Sequence, residues 1–187
     1  MVDYAYLIPL LPFGAAIVIF FFGRWLPMKG ALLGILAVLA SFGISADLLM
    51  QVMDGTLKLP QVIRYPWFDV GLFQFEWGVL LDGPSVVLTV AVSGISSLIQ
   101  IYSVGYMHDA PRFKRFFAYL SLFTAAMLAL VIANNYLQFF IGWEIMGACS
   151  YFLISFEFER DAAAAAGNKA FLTTRLGDLG LDRKSVV

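Results

Sequence analysis

Charged side chains are scarce in this chain: 12 Lys and Arg and 13 Asp and Glu among 187 residues, or 13%. Soluble domains carry about 25%. With 61% hydrophobic residues and a mean hydropathy of +0.84, this shortage excludes an ordinary soluble domain and implies an integral membrane protein. The formal net charge is −1 and no basic block occurs, which removes the electrostatic footprint of a nucleic-acid binder. A single cysteine, Cys149, rules out a disulfide framework. One His and one Cys cannot assemble an ordinary haem or zinc ligand set. Before Arg24 there is no Lys or Arg, and Asp3 stands where a cleavable signal carries its cations. The first apolar run is therefore expected to remain as a span.

What the chain has in abundance is long apolar runs. The most informative is Tyr136 to Phe156, 21 residues with one ionisable side chain, Glu144, near the middle. At 1.5 Å per residue a helix of that length just crosses the hydrocarbon core of a bilayer. A carboxyl group at that depth costs at least ~2.5 kcal/mol, so it should face protein or a water path.

In chain order, a first helix is expected from Tyr4 to Gly23, with Pro9 and Pro12 tolerated early or as a kink, followed by an interfacial anchor of Arg24, Trp25 and Lys29. A second spans Gly30 to Met50, with Asp47 read as an interfacial carboxylate. Gln51 to Leu81 has no long apolar run. Its alternation over Val70 to Trp77 puts Phe73, Phe75 and Trp77 on one parity, predicting a short strand or hairpin whose aromatic face packs at the headgroup level. A third helix runs from Pro84 to Tyr106, the loop His108 to Arg115 follows, and a fourth covers Phe116 to Ala133, ending at Asn134–Asn135. After the fifth, the polar turn Glu157 to Asp161 opens a truncated sixth helix. The fold class expected is an all-α polytopic transmembrane bundle, five complete helices plus a truncated sixth, with a short β-hairpin-like external loop.

Loop charges give an orientation. Arg24 and Lys29 follow the first helix, and Arg112, Lys114 and Arg115 follow the third, whereas the second loop is net negative. The positive-inside rule then puts the N-terminus outside. Residues 1–181 are read as one membrane domain. Asp182 to Val187, two adjacent cations in mid-helix and then an end, are read as a non-native read-through tail that breaks the helix.

Counting helical rise from the turn at Glu157 to Asp161 puts Glu144 roughly 18 Å up one helix, with Thr174, Arg175 and Asp178 at a comparable depth on the next. Arg175 and Asp178 are spaced i, i+3 and can pair. Burial and a neighbouring cation move a carboxyl's proton affinity in opposite directions, which is the property a proton relay needs. Gly142, Gly147, Ala148, Cys149 and Ser150 flank Glu144 and would admit close helix approach. The structural alternatives are a single interhelical hydrogen bond from Glu144 and a plain ion pair between Arg175 and Asp178.

Three stretches, IYSVGYMHDAPRFKRFFAYLSLF (Ile101 to Phe123), FFIGWEIMGACSYFLISF (Phe139 to Phe156) and AAAAAGNKAFLTTRLGDLG (Ala162 to Gly180), resemble the antiporter-like large membrane subunits of respiratory complex I. This is the subunit L group of bacterial NADH-quinone oxidoreductases, with a plastid counterpart and the large subunit of Mrp-type Na⁺/H⁺ antiporters as relatives. LIPLLP near the start and LDGPS at Leu81 to Ser85 fit as well. The resemblance departs at Ile145–Met146, where Gly–Val or Leu–Val is usual, and at Phe158. It implies a proton-pumping module in a bacterial inner membrane. A half-channel there is centred on the glutamate that falls on Glu144, with the sixth-helix Arg and Asp falling on Arg175 and Asp178. It also implies a lysine partner on a seventh helix beyond this sequence. NADH, flavin (FMN), iron–sulfur clusters and quinone would be handled by partner subunits, so this chain would serve a translocase without redox chemistry of its own.

Overall fold

A computed structural model describes residues 4–70, 73–108 and 110–184, and side chains outside 66–75 and 179–184. The expectations for Asp3 and residues 185–187, and for the side chains of Phe73 and Phe75, fall outside that description. The elements in chain order are α1 (Leu7–Phe22), a short turn (Pro27–Gly30), α2 (Ala31–Met53), β1 (Gln61–Val70), β2 (Phe73–Leu81), α3 (Gly83–Tyr106), α4 (Phe113–Val131), α5 (Tyr136–Ile154) and α6 (Asp161–Lys184). Among the described residues, α2 with its preceding turn, α3, α4 and α5 are long and apolar enough to cross a membrane. α1 is apolar but only 16 residues, about 24 Å of rise, because the chain from Tyr4 to Tyr6 forms a turn. α6 has the length for a span, but its charged positions break up the apolar run. Its backbone continues helically through Asp182 and Arg183 to Lys184, so the adjacent cations interrupt the hydropathy and not the helix.

α4 is the hub, packing against α1, α2, α3 and α5, whereas α6 packs on α5. Two apolar clusters fill the block at opposite ends. Ile8, Leu48, Val79, Leu81 and Leu128 close the hairpin end, and Ile19, Ala31, Phe113 and Phe117 close the end holding the basic loops.

Pro12 shows how sequence dictates packing here. Lacking an N–H, it cannot bond the Ile8 carbonyl one turn back. In a bilayer such an orphan must find a partner within the protein. Ser41 of α2, fully buried, donates its Oγ–H to that carbonyl at 2.8 Å and so ties α2 to α1. Between these helices Met28 and Lys29 take left-handed conformations (φ 50° and 54°), and Gly30 follows at φ 94°. A side chain at Gly30 would also meet Ile19 at 3.0 Å.

The hairpin is longer than the predicted Val70 to Trp77 segment. Its antiparallel register runs from Gln61 opposite Leu81 to Val70 opposite Phe73, with an irregularity between Pro66 and Phe68 where proline cannot donate to the ladder. Pairing extends because Val79 and Leu81, on one parity, drive into the core at 1% and 0% exposure. The Asn134–Asn135 turn holds the hairpin down. Asn135 donates Nδ2–H to the Glu76 carbonyl at 2.8 Å, its Oδ1 caps α5 by accepting from Gln138 N, and Gln138 Oε1 accepts from Gly78 N at 3.1 Å. Gly78 is needed there, since a Cβ would lie 2.1 Å from Asn134 Nδ2. At the start of α3, Asp82 and Ser85 form a reciprocal capping box, each bond 2.8 Å, with Pro84 in the first turn. Asp47, expected merely at the interface, accepts from Tyr4 Oη and Gln51 Nε2, both at 2.7 Å, tying the chain start to α2.

Candidate functional site

Glu144 lies ten residues before the end of α5 and Arg175 fourteen residues into α6, so both are carried to mid-helix depth. The close approach of the two helices depends on Gly167 of α6, where a Cβ would come within 2.8 Å of the Cβ of Ser155, the residue that caps the C-terminus of α5. Gly142, among the small residues near Glu144, admits α4 instead, its Cβ position lying 3.1 Å from Leu130 and 3.2 Å from the Ala126 carbonyl. Gly147 meets no neighbour there, so its expected role in packing has no counterpart among the described residues.

The structure brings Glu144, Arg175 and Asp178 together. Arg175 Nη1 contacts Glu144 Oε2 across the α5–α6 interface and reaches Asp178 Oδ2 at 3.4 Å along its own helix. Thr174, expected at the same depth, bonds back to the Phe171 carbonyl and takes no part. Two groups that sequence reasoning passed over complete the cluster. Trp143 donates Nε1–H to Asp178 Oδ1 at 2.7 Å, so each helix contributes a partner to the other's carboxylate. Phe171 lies beneath the guanidinium, 4.8 Å from ring centre to Arg175 Cζ, and is itself packed on Tyr151 at 5.5 Å. The signal available for Trp143 was its place next to Glu144: indole is a donor-only group that seeks an acceptor when withdrawn from water.

Side-chain exposure falls from 40% for Arg175 to 23% for Glu144 and 12% for Asp178. The cluster therefore has a sheltered floor, Asp178 held by Trp143, and a more open lip where Arg175 meets Glu144. Ionised, its two carboxylates and one guanidinium sum to one negative charge, so it has room for one further positive charge. Among the described residues, no group of three His, Cys, Asp or Glu is placed to hold a metal.

Two family models match the chain: the N-terminal region of complex I NADH-ubiquinone oxidoreductase chain 5 over residues 67–117, and the transmembrane region of NADH:quinone oxidoreductase and Mrp antiporters over 133–181. The second match contains Trp143, Glu144, Arg175 and Asp178. NADH-quinone oxidoreductase subunit L of Mycobacterium tuberculosis is 42% identical over 180 residues, 95% of this chain and 28% of that protein. The chain belongs to the family of antiporter-like complex I membrane subunits. Another relative in this family, F(420)H(2) dehydrogenase subunit L of Methanosarcina mazei, is 49% identical over 181 residues, covering 95% of this chain and 26% of that one. The chain thus spans a little over a quarter of the length of these relatives. Among solved structures, a chain of the membrane-bound sulfane sulfur reductase, an archaeal respiratory membrane complex, superposes with a TM-score of 0.67 over 89% of this chain and 24% of that one. At 17% identity that likeness speaks for the fold alone. As a family member the chain is a multi-pass membrane protein.

Proposed function

We propose that this chain is the N-terminal part of a membrane subunit of a proton-translocating NADH:quinone oxidoreductase. In that assembly Glu144 takes up and releases the proton of a half-channel. The observation that carries the reading is the contact of Glu144 with Arg175 across two helices at mid-membrane depth, in a cluster one positive charge short of neutral. A charge at that depth is retained at a cost, and intramembrane carboxylates of this kind mark proton paths. Arg175 and Asp178 are the positioning partners: Arg175 links Glu144 to one oxygen of Asp178, and Trp143 holds the other. The extra positive charge is supplied alternately by the proton and by a cation from later sequence, the lysine implied by the family resemblance.

The partners are the other membrane subunits of the complex, and the cofactors belong to its other subunits. The likeness to a component of an F(420)H(2) dehydrogenase agrees with this division, because the electron donor can differ while the membrane module stays alike. The membrane is a bacterial inner membrane, with the N-terminus outside and the basic loops at Arg24–Lys29 and Arg112–Arg115 in the cytoplasm.

The test is Glu144→Gln in the assembled complex, read as protons moved per substrate oxidised. The expected result is an assembled complex whose pumping ratio drops, because glutamine keeps the packing and removes the exchangeable proton. Full pumping by that variant would overturn the reading. A Mrp-type antiporter would instead show cation-driven proton movement with no dependence on substrate oxidation.

A further inference from the structure

A second polar site lies at the C-terminal end of α5. It is a cavity of about 320 Å³ where α4 begins, α5 ends and α6 starts, lined by Arg112, Arg115, Tyr119, Phe152, Ser155 and Asn168 among others. We propose that it binds the phosphate of an anionic phospholipid headgroup. The proposal depends on the chain spanning a membrane and is independent of any proton chemistry at Glu144.

Depth comes first. α4 starts at Phe113 and α5 stops at Ile154, so the cavity sits at the boundary between hydrocarbon and headgroups, where a phosphate would be. Charge comes second. The described lining carries two guanidinium groups and no carboxylate. Arg112 is held in place by Glu159 at 2.9 Å and by the Phe158 ring, 4.1 Å below its Cζ. That fixes its orientation yet leaves its buried Nε–H without an acceptor. Such a donor in a low-dielectric site calls for an oxygen. Arg115, one turn further along α4 on the same face, is exposed and forms no ion pair with the described residues. Glu159 meets Arg112 through Nη2 alone and is itself 75% exposed, and Glu157 pairs with Arg160 at 3.1 Å. Shape comes third. The cavity is also walled by Tyr119 stacked on Phe152 at 5.1 Å, and Phe152 is exposed. An inorganic phosphate gains nothing from that wall, whereas a lipid lays an acyl chain along it. Basic pockets between membrane helices on the positively charged side recruit headgroups in this way.

The experiment uses the chain in its native assembly, in membranes doped with phosphatidylglycerol bearing a photoreactive group on one acyl chain. A parallel sample carries the same group on phosphatidylcholine. Crosslinks to peptides 112–119 and 151–158 are expected to favour phosphatidylglycerol by roughly fivefold per contributing cation. Arg115→Gln should cut that preference to roughly a fifth, and Arg115→Lys should restore it. Excess inorganic phosphate should leave the labelling unchanged. Equal labelling by both probes, or a preference untouched by Arg115→Gln, would overturn the proposal. Loss of labelling under phosphate would make this a soluble-anion site and overturn it equally. If Arg115→Gln did not accumulate, the wild-type ratio would decide alone.

Discussion

Ser41, Ser93 and Ser97 are 0–4% exposed inside the α1–α4 block and carry no charge, whereas Glu144, Arg175 and Asp178 between α5 and α6 carry three charges at side-chain exposures of 12–40%. The first set closes on backbone. Ser93 and Ser97 donate to carbonyls one turn back, at 2.6 and 2.7 Å, and Ser41 donates across to α1. Such hydroxyls allow close packing and leave nothing to titrate. The second set closes on other side chains, with Arg175 shared between two carboxylates and Trp143 on one of them. The same chain thus holds a neutral interior and a charged one. They differ in whether polar atoms end on backbone carbonyls or on charged side chains.

The sharpest way to break this comparison is Trp143→Phe. It keeps the ring packing on Phe139, 6.3 Å away, and removes the donor to Asp178. A hydrogen bond to a charged acceptor is worth about 2 kcal/mol, so α6 should lose amide protection in hydrogen exchange while α3 keeps its own. Equal loss in both helices would show that the two regions are not separate. A smaller effect is expected for Ser41→Ala, which orphans the Ile8 carbonyl: about 1.5 kcal/mol in equilibrium unfolding in bicelles, against about 0.5 kcal/mol or less for Ser97→Ala, whose carbonyl partner also serves its own helix. Similar losses would mean that crossing helices adds nothing to a hydroxyl's worth.

A smaller change than that at Ser41 is pH-dependent and lies outside the spans. The Ser85 backbone N–H and hydroxyl hold the Asp82 carboxyl below its ordinary range. Its folded value is depressed, so the cap's contribution is complete above the unfolded carboxyl's range and fades as pH falls through the folded value. Asp82→Ala should therefore cost about 1 kcal/mol at neutral pH, and the gap to wild type should shrink in acid. A gap unchanged by acid would show that the cap does not depend on the carboxylate.

Much of the scaffold was legible in the chain. Tyr136 to Phe156 announced α5, and the Asp82–Pro84 signal marked the start of α3 within one residue of Gly83. The depth count brought Arg175 and Asp178 to the level of Glu144 because helical rise is fixed and the α5–α6 turn is short. Less legible were contacts between elements remote in sequence. The hairpin reached from Gln61 to Leu81 because Val79 and Leu81 are drawn into a core built by α1, α2, α3 and α4, and because Asn135 and Gln138 receive its backbone. Tyr4 found Asp47, which sequence alone left at the interface.

Composition and periodicity determined on their own that this is a membrane-spanning helical chain with one costly carboxylate at mid-depth. Hydropathy and helical rise act along the chain, and both can be counted residue by residue. Only the tertiary structure decided which atoms meet that carboxylate's neighbourhood: that Arg175 is shared between Glu144 and Asp178, and that Trp143 rather than Thr174 completes the cluster. Those choices depend on the rotation of α5 against α6, set by the close approach at Gly167, and a helix's rotation about its own axis is fixed by its neighbour and not by its own sequence alone.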